Sequence, residues 1–164
     1  MTVDGLAPAG ADGSPELLAS VVVPNWNGAH LLGPCLDALR RQTLRGFEVL
    51  VVDGGSTDGT TDLVASYPEV RLVSLGRNRG FAAAVNEGIR RARADVVVLL
   101  NNDTEAEPGW LGALVSGLLA EPGAGMATSK VRLFDRRDTL HTTGDTLDLA
   151  GSPANRGVWQ VDRG

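Results

Sequence analysis

Short apolar runs alternate with helix-spaced apolar positions along most of the chain, and each run ends in polar residues. The clearest run is Val96-Val97-Val98-Leu99-Leu100, followed by Asn101-Asn102-Asp103-Thr104. It is too short to span a bilayer and has the length of a fully buried parallel strand. Ser20-Val21-Val22-Val23 predicts an earlier strand, stopped by Pro24 and leading to Asn25-Trp26-Asn27-Gly28. Phe47 to Val52 predicts a second strand ahead of the loop Asp53 to Gly59, and Val70 to Leu75 a third ahead of Gly76-Arg77-Asn78-Arg79-Gly80. Gly125 to Phe134 is a candidate for a further strand.

Helical spacing fills the intervals. Leu31, Leu32, Cys35, Leu36 and Leu39 share one helical face, with Gly33-Pro34 placed near the helix start, where proline is tolerated; a helix starting earlier would be kinked at Pro34. Ser56 is a suitable N-cap for a helix running to about Ser66, with Asp58 in its first turn. Phe81, Ala84, Val85, Gly88, Ile89 and Ala92 recur with a clear helical period. Pro108 opens a helix carrying Trp110, Leu111, Leu114, Val115 and Leu118. Strands alternating with helices predict an α/β domain with a parallel sheet and right-handed crossovers. The polar lips Asn25/Asn27, Asp53 and Asn101/Asn102/Asp103 then share one sheet edge. Ligands of open α/β sheets bind outside the carboxyl ends of the strands.

Three segments are predicted. Residues 1–17, rich in Gly, Ala, Pro and Asp, read as a disordered tail. Residues 18–134 form the α/β domain. In residues 135–164 the periodicity fades into Asp, Gly, Thr and Arg. The 164 residues leave room for one domain with a sizeable core, burying roughly 70% of the unfolded chain's surface. The net charge of −5 and the lack of a basic tract argue against a nucleic-acid partner. An acidic chain binds an anion through local dipoles or a metal. The single cysteine, Cys35, excludes an intrachain disulfide and fits a reducing compartment. Its Leu-rich helical surroundings make it a buried small hydrophobe.

The strand ends decide the chemistry. No G-x-x-x-x-G-K-[ST] occurs, and the first strand ends in Pro24-Asn25 rather than G-x-G-x-x-G, so P-loop and nicotinamide chemistry are disfavoured. Asp103 is a hard oxygen ligand where a phosphorylated molecule and its divalent cation would sit. A capped turn is the plainer reading of Asp103-Thr104. Ser56 and Asp58 are read first as helix caps, and Trp26 and Trp110 first as packing. His30 and His141 fit no metal or triad spacing.

These motifs resemble family 2 glycosyltransferases. Val21 to Gly28 is similar to the family's opening strand. Val51-Val52-Asp53-Gly54-Gly55-Ser56-Thr57-Asp58-Gly59-Thr60 resembles its V-V-D-N-G-S-T-D-G-S loop, with Gly54 in place of the usual Asn. Asn78-Arg79-Gly80-Phe81-Ala82 with Asn86-Glu87-Gly88 resembles its N-x-G-x-A…N-x-G helix, and Leu99 to Thr104 its D-x-D-type element. Asn27-Gly28 together with Asn101-Asn102-Asp103 looks most like the branch that includes bacterial rhamnosyltransferases.

The resemblance implies a GT-A (Rossmann-like) domain that binds a nucleotide-diphosphate sugar, UDP- or dTDP-linked, for inverting transfer to a glycan or lipid-linked acceptor in polysaccharide biosynthesis. Pro24, Asn25 and Asn27 would line the base and ribose pocket. Asp53 would accept a hydrogen bond from the base, and Ser56, Asn78 and Arg79 would lie near the nucleotide. Asn102 and Asp103 would face the ribose, the diphosphate and a Mg²⁺ or Mn²⁺ ion, with Asp103 as the metal ligand. The element holds one carboxylate where the family pattern has two, which predicts poor metal affinity without nucleotide. The rival readings are a non-catalytic nucleotide-sugar-binding module and a sugar nucleotidyltransferase, the latter expected to carry a Gly-rich, Arg/Lys-bearing loop after the first strand. The family's acidic acceptor-side motif is not found in Asp135 to Gly164, so the catalytic base is expected beyond Gly164. The chain is accordingly expected to be a truncated, inactive fragment that self-associates through an exposed sheet edge. The expected compartment is the cytoplasm, extending to the inner face of the membrane for a full-length protein.

Overall fold

The computed structural model describes residues 17–147, 149–150 and 152–163. The tail predicted for residues 1–17 falls almost wholly outside them. The chain divides into two units, with the boundary between Val115 and Ser116.

The first unit is built on a parallel sheet of β1 (Ala19–Asn25), β2 (Phe47–Asp53), β3 (Val70–Ser74) and β4 (Val97–Leu99), in the order β3-β2-β1-β4. The crossovers are α1 (Ala29–Arg40), α2 (Thr60–Ala65) and α3 (Phe81–Arg91), and α4 (Trp110–Leu119) follows β4. Alternation along the strands sends Val21, Val23, Val49, Val51 and Val98 into a core with Leu32, Cys35, Leu36, Leu39, Val64 and Leu111. On the other face Val22, Leu50, Val52 and Val73 pack with Ala84 of α3. Gly88 makes that approach close: a Cβ there would stand 2.2 Å from Val22 Cγ1.

Four expectations are corrected. β1 runs through Pro24 instead of stopping at it. The Val22 carbonyl accepts from Leu100 N–H on the β4 side, and Pro24, two residues on, turns its nitrogen to the same side. The β1–β4 pairing ends at Val22↔Leu99, so no ladder hydrogen bond is lost. Second, α1 begins at Ala29, which puts Pro34 in its interior. Third, β4 is not fully buried. It is the sheet's edge, α3 packs over β1 and β2, and Leu99 on the α3 side remains 49% exposed. Fourth, Ser56 does not cap α2. The cap position is Gly59, in the left-handed region at φ +86°, which Ser56 lies too far upstream to fill.

The second unit holds two short antiparallel ladders. β5 (Val131–Arg132) pairs with β6 (Leu140–Thr142), and β7 (Asp145–Leu147) with β8 (Pro153–Asn155). The predicted strand over Gly125–Phe134 shrinks to β5 alone. The other three strands carry too few apolar residues for the pattern to have announced them. Lys130 Nζ bonds Asp162 Oδ1 at 2.8 Å.

Candidate functional site

The carboxyl ends of β1, β2 and β4 meet, as the shared edge requires. A cavity of about 270 Å³ opens there, lined by Pro24, Asn25, Trp26, Gly54, Leu75, Asn78, Arg79, Gly80, Phe81, Ala84 and Asn102. That lies just under the usual small-molecule range of roughly 300–1,000 Å³. Two of its walls are aromatic. Trp26 is 55% exposed and Phe81 61%. Gly54 lets the indole lie down on the β2 loop, since a Cβ there would stand 3.3 Å from both Cβ and Cδ1 of Trp26.

Behind the cavity lies a chain of polar side chains. Asp53, buried, accepts from the Gly55 and Ser56 N–H groups through Oδ2, at 2.9 Å each. Its Oδ1 accepts from the Ser56 hydroxyl and, at 3.4 Å, from Asn25 Nδ2. Ser56 Oγ accepts in turn from the Asn27 N–H at 2.8 Å, while Asn27 Oδ1 accepts from the Thr57 N–H at 2.8 Å. Asp58 takes the Ala29 N–H at the start of α1 at 2.8 Å, and the Thr60 hydroxyl donates to it at 2.6 Å. These donors, Thr60 first and Ala29 second, hold the Asp58 carboxyl below the usual carboxylate range. Asn25 Nδ2 also donates to Thr60 Oγ1 at 3.1 Å, and Asn25 Oδ1 accepts from Asn102 Nδ2 at 2.6 Å. The β1, β2 and β4 lips are thus tied by side chains as well as by the sheet.

The structure therefore sorts the predicted site residues into groups. Pro24, Asn25, Asn78, Arg79 and Asn102 line the cavity. Asn27 after β1, Asp53 at the end of β2 and Ser56 in the loop that follows are linked by hydrogen bonds outside the cavity lining, and the Asp53 oxygens are engaged by protein donors. Asp103 is exposed at the end of β4, outside the cavity lining. Among the described residues no group of three or more His, Cys, Asp and Glu side chains is placed to hold a metal. The chemistry of Asp103, a lone solvent-facing carboxylate, suits a hard cation whose remaining ligands come from a bound anion. Cys35 is buried in the core, as its surroundings suggest, and burial pushes its thiol up to about 11. Asn78 Oδ1 accepts from the Gly80 N–H at 2.8 Å, shaping the turn into α3.

Sequence reasoning missed Trp26 and Phe81 as cavity walls, having assigned the first to packing and the second to the core face of α3. The available signal was position: a tryptophan inside a polar lip and an aromatic at the first residue of a helix both project where the strands end.

Residues 20–151 match the family described as Glycosyl transferase family 2, and the chain belongs to it. Validoxylamine A glucosyltransferase of Streptomyces hygroscopicus is 38% identical over 122 residues, which cover 71% of this chain and 28% of that protein. Among solved structures, the mannosyltransferase PcManGT from Pyrobaculum calidifontis, in complex with GDP-Man and Mn²⁺, is similar with a TM-score of 0.62. It is 33% identical, over 72% of this chain and 36% of that one. S. aureus TarS 1–349 in complex with UDP shares the fold, with a TM-score of 0.58 at 24% identity over 73% of this chain and 43% of that one. The sheet is thus the GT-A type that the motifs implied. The chain spans between 16% and 34% of the length of the first curated relatives it matches.

Proposed function

We propose that this chain is the donor-binding part of an inverting glycosyltransferase that uses a UDP- or dTDP-linked sugar. The observation that supports the reading most directly is the cavity at the strand ends, where aromatic walls, Arg79 and a set of side-chain amides converge. A base stacks on Trp26, whose indole offers a broad apolar face. Arg79 supplies fixed positive charge for the diphosphate. Asn102 and Asp103 lie on the ribose and diphosphate side. Asp53 serves base recognition by holding the Gly54-Gly55-Ser56 backbone in place, because its oxygens already accept from that loop. Asp103 is the residue that would hold a Mg²⁺ or Mn²⁺ ion. When bound, such an ion neutralises charge on the departing diphosphate.

The acceptor proposed is a glycan or a lipid-linked sugar, and the compartment the cytoplasm, in keeping with one buried cysteine. No helix among the described residues is long and apolar enough to cross a membrane. The test is calorimetry with UDP, dTDP, GDP and ADP in the presence of Mn²⁺. Tighter binding of the pyrimidine diphosphates supports the reading. Binding no tighter than that of inorganic pyrophosphate refutes it, and equal affinity for purines and pyrimidines refutes its base preference.

A further inference from the structure

We infer that Asn25 is a positioning residue: it fixes the side-chain amide of Asn102 so that the carbonyl oxygen Oδ1 is presented to the cavity, as an acceptor for a ribose hydroxyl. The inference deepens the nucleoside-diphosphate reading above and rests on it.

Two carboxylates set the polarity. Ionised Asp53 and Asp58 can only accept. Each takes a hydroxyl proton, Asp53 from Ser56 and Asp58 from Thr60. A hydroxyl has one proton, so both hydroxyls face Asn25 as acceptors. One end of the Asn25 amide therefore meets three acceptors: Thr60 Oγ1 at 3.1 Å, and Ser56 Oγ and Asp53 Oδ1 at 3.4 Å each. Only the NH₂ end fits there. Asn25 is buried, and turning its carbonyl toward that cluster would bury an acceptor among acceptors, the costly arrangement. Its Oδ1 must then face β4, where Asn102 approaches to 2.6 Å. An acceptor at that distance demands a donor, so Asn102 supplies Nδ2. The remaining end of the Asn102 amide is its oxygen.

Polarity is in this way passed from Asp53 and Asp58, through two hydroxyls and one amide, to a side chain that lines the cavity. An asparagine whose orientation was free would offer a hydroxyl either a donor or an acceptor. This one offers its oxygen as an acceptor.

Space is reserved for the contact. A Cβ on Gly28 would stand 2.4 Å from Asn102 Nδ2 and 2.7 Å from Asn25 Oδ1. The φ of Gly28 is −121°, which any residue adopts, so its glycine answers to room and not to backbone shape.

The test has two arms. In the first, without ligand, ¹⁵N NMR of the chain follows the Asn102 side-chain amide. A shifted, slowly exchanging Nδ2 proton that returns to ordinary exchange in Asn25→Ala supports the inference; ordinary exchange in the unmutated chain overturns it. In the second, calorimetry with Mn²⁺ compares UDP with its 2′,3′-dideoxy analogue. One neutral hydrogen bond predicts a preference for UDP of about three- to tenfold. Thr60→Val, at a buried position away from the cavity lining, removes the nearest of the three acceptors and should lower that preference while leaving affinity for the dideoxy analogue within about twofold. Equal weakening of both ligands marks a merely structural role and overturns the inference. Should Thr60→Val fail to fold, Thr60→Ala, which removes the same hydroxyl with less bulk, answers the same question. If neither nucleotide binds the unmutated chain, the nucleoside-diphosphate reading fails and the ribose role falls with it, while the NMR arm still decides the orientation of the amide.

Discussion

Gly88→Ala tests how α3 is held on the sheet. The added methyl would lie 2.2 Å from Val22 Cγ1, 3.0 Å from Cγ2 and 3.2 Å from Cβ. Val22 cannot yield easily: it is fully buried on the central strand β1, and β-branching leaves it few rotamers. Ordinary carbon contact is about 3.5–4.0 Å, so relief requires α3 to lift by more than about 1 Å. Overpacking of this kind costs about 1–3 kcal/mol, against which alanine gains up to about 1 kcal/mol over glycine inside a helix. The expected net is a loss of about 1–2 kcal/mol. Urea denaturation monitored by circular dichroism reads it as a lowered midpoint with an unchanged slope. Val22→Ala in the same chain opens the space again, so the double mutant should be more stable than the two single losses summed, a coupling of about 1 kcal/mol or more. Phe81 and Ala84 of α3 line the cavity, so Gly88→Ala should also weaken nucleotide binding. Unchanged or raised stability in Gly88→Ala, or strict additivity with Val22→Ala, would refute the close-packing argument.

Asp103→Ala should weaken Mn²⁺-dependent binding of UDP about tenfold or more, the loss expected of an interaction with a charged group, in a folded chain; unchanged affinity by calorimetry would remove Asp103 from the metal. With its thiol pushed up to about 11 by burial, Cys35 should resist iodoacetamide at pH 8 in the native state and react once urea unfolds the chain, as mass spectrometry will read. The Asp58 carboxyl is held below its ordinary value, so its contribution is present above the unfolded value of about 3.9 and is lost as pH falls through the folded one. Stability should decline on acidification below about pH 4, and Asp58→Asn should flatten that decline in thermal melts; an equal acid slope in both would count against the Ala29 and Thr60 contacts.

The parallel sheet and its lips were legible because apolar runs and helical spacing are local, repeated signals. Phe47 to Asp53 and Phe81 to Arg91 fall almost where the periodicity puts them. What was not legible depended on neighbours far along the chain. Pro24 reads as a stop until β4 proves too short to need its N–H. Ser56 reads as a cap until Asp53 claims its hydroxyl and Asn27 its oxygen. Val96 to Leu100 reads as a buried strand, because nothing within the run says that it lies at the edge. The composition of the site was visible in Asn25, Asn78, Arg79 and Asn102. Its walls were not, since Trp26 and Phe81 carry the same apolar character whether they fill a core or face a cavity.

Gly55 has a consequence for motion. Its φ is +79°, and a Cβ there would stand 2.8 Å from the carbonyl carbon and oxygen of Gly76 and 2.9 Å from the Arg77 nitrogen. The loop after β2 and the loop after β3 therefore touch backbone to backbone, and the Leu75 N–H bonds the Asp53 carbonyl at 2.8 Å beside that contact. Two segments joined without intervening side chains have no rotamers to absorb relative sliding. Packing of this kind couples the two loops along one side of the cavity, with Gly54 at one end and Asn78-Arg79 at the other. An anion bound at Arg79, as proposed, should therefore be felt at Gly54 through backbone contact alone.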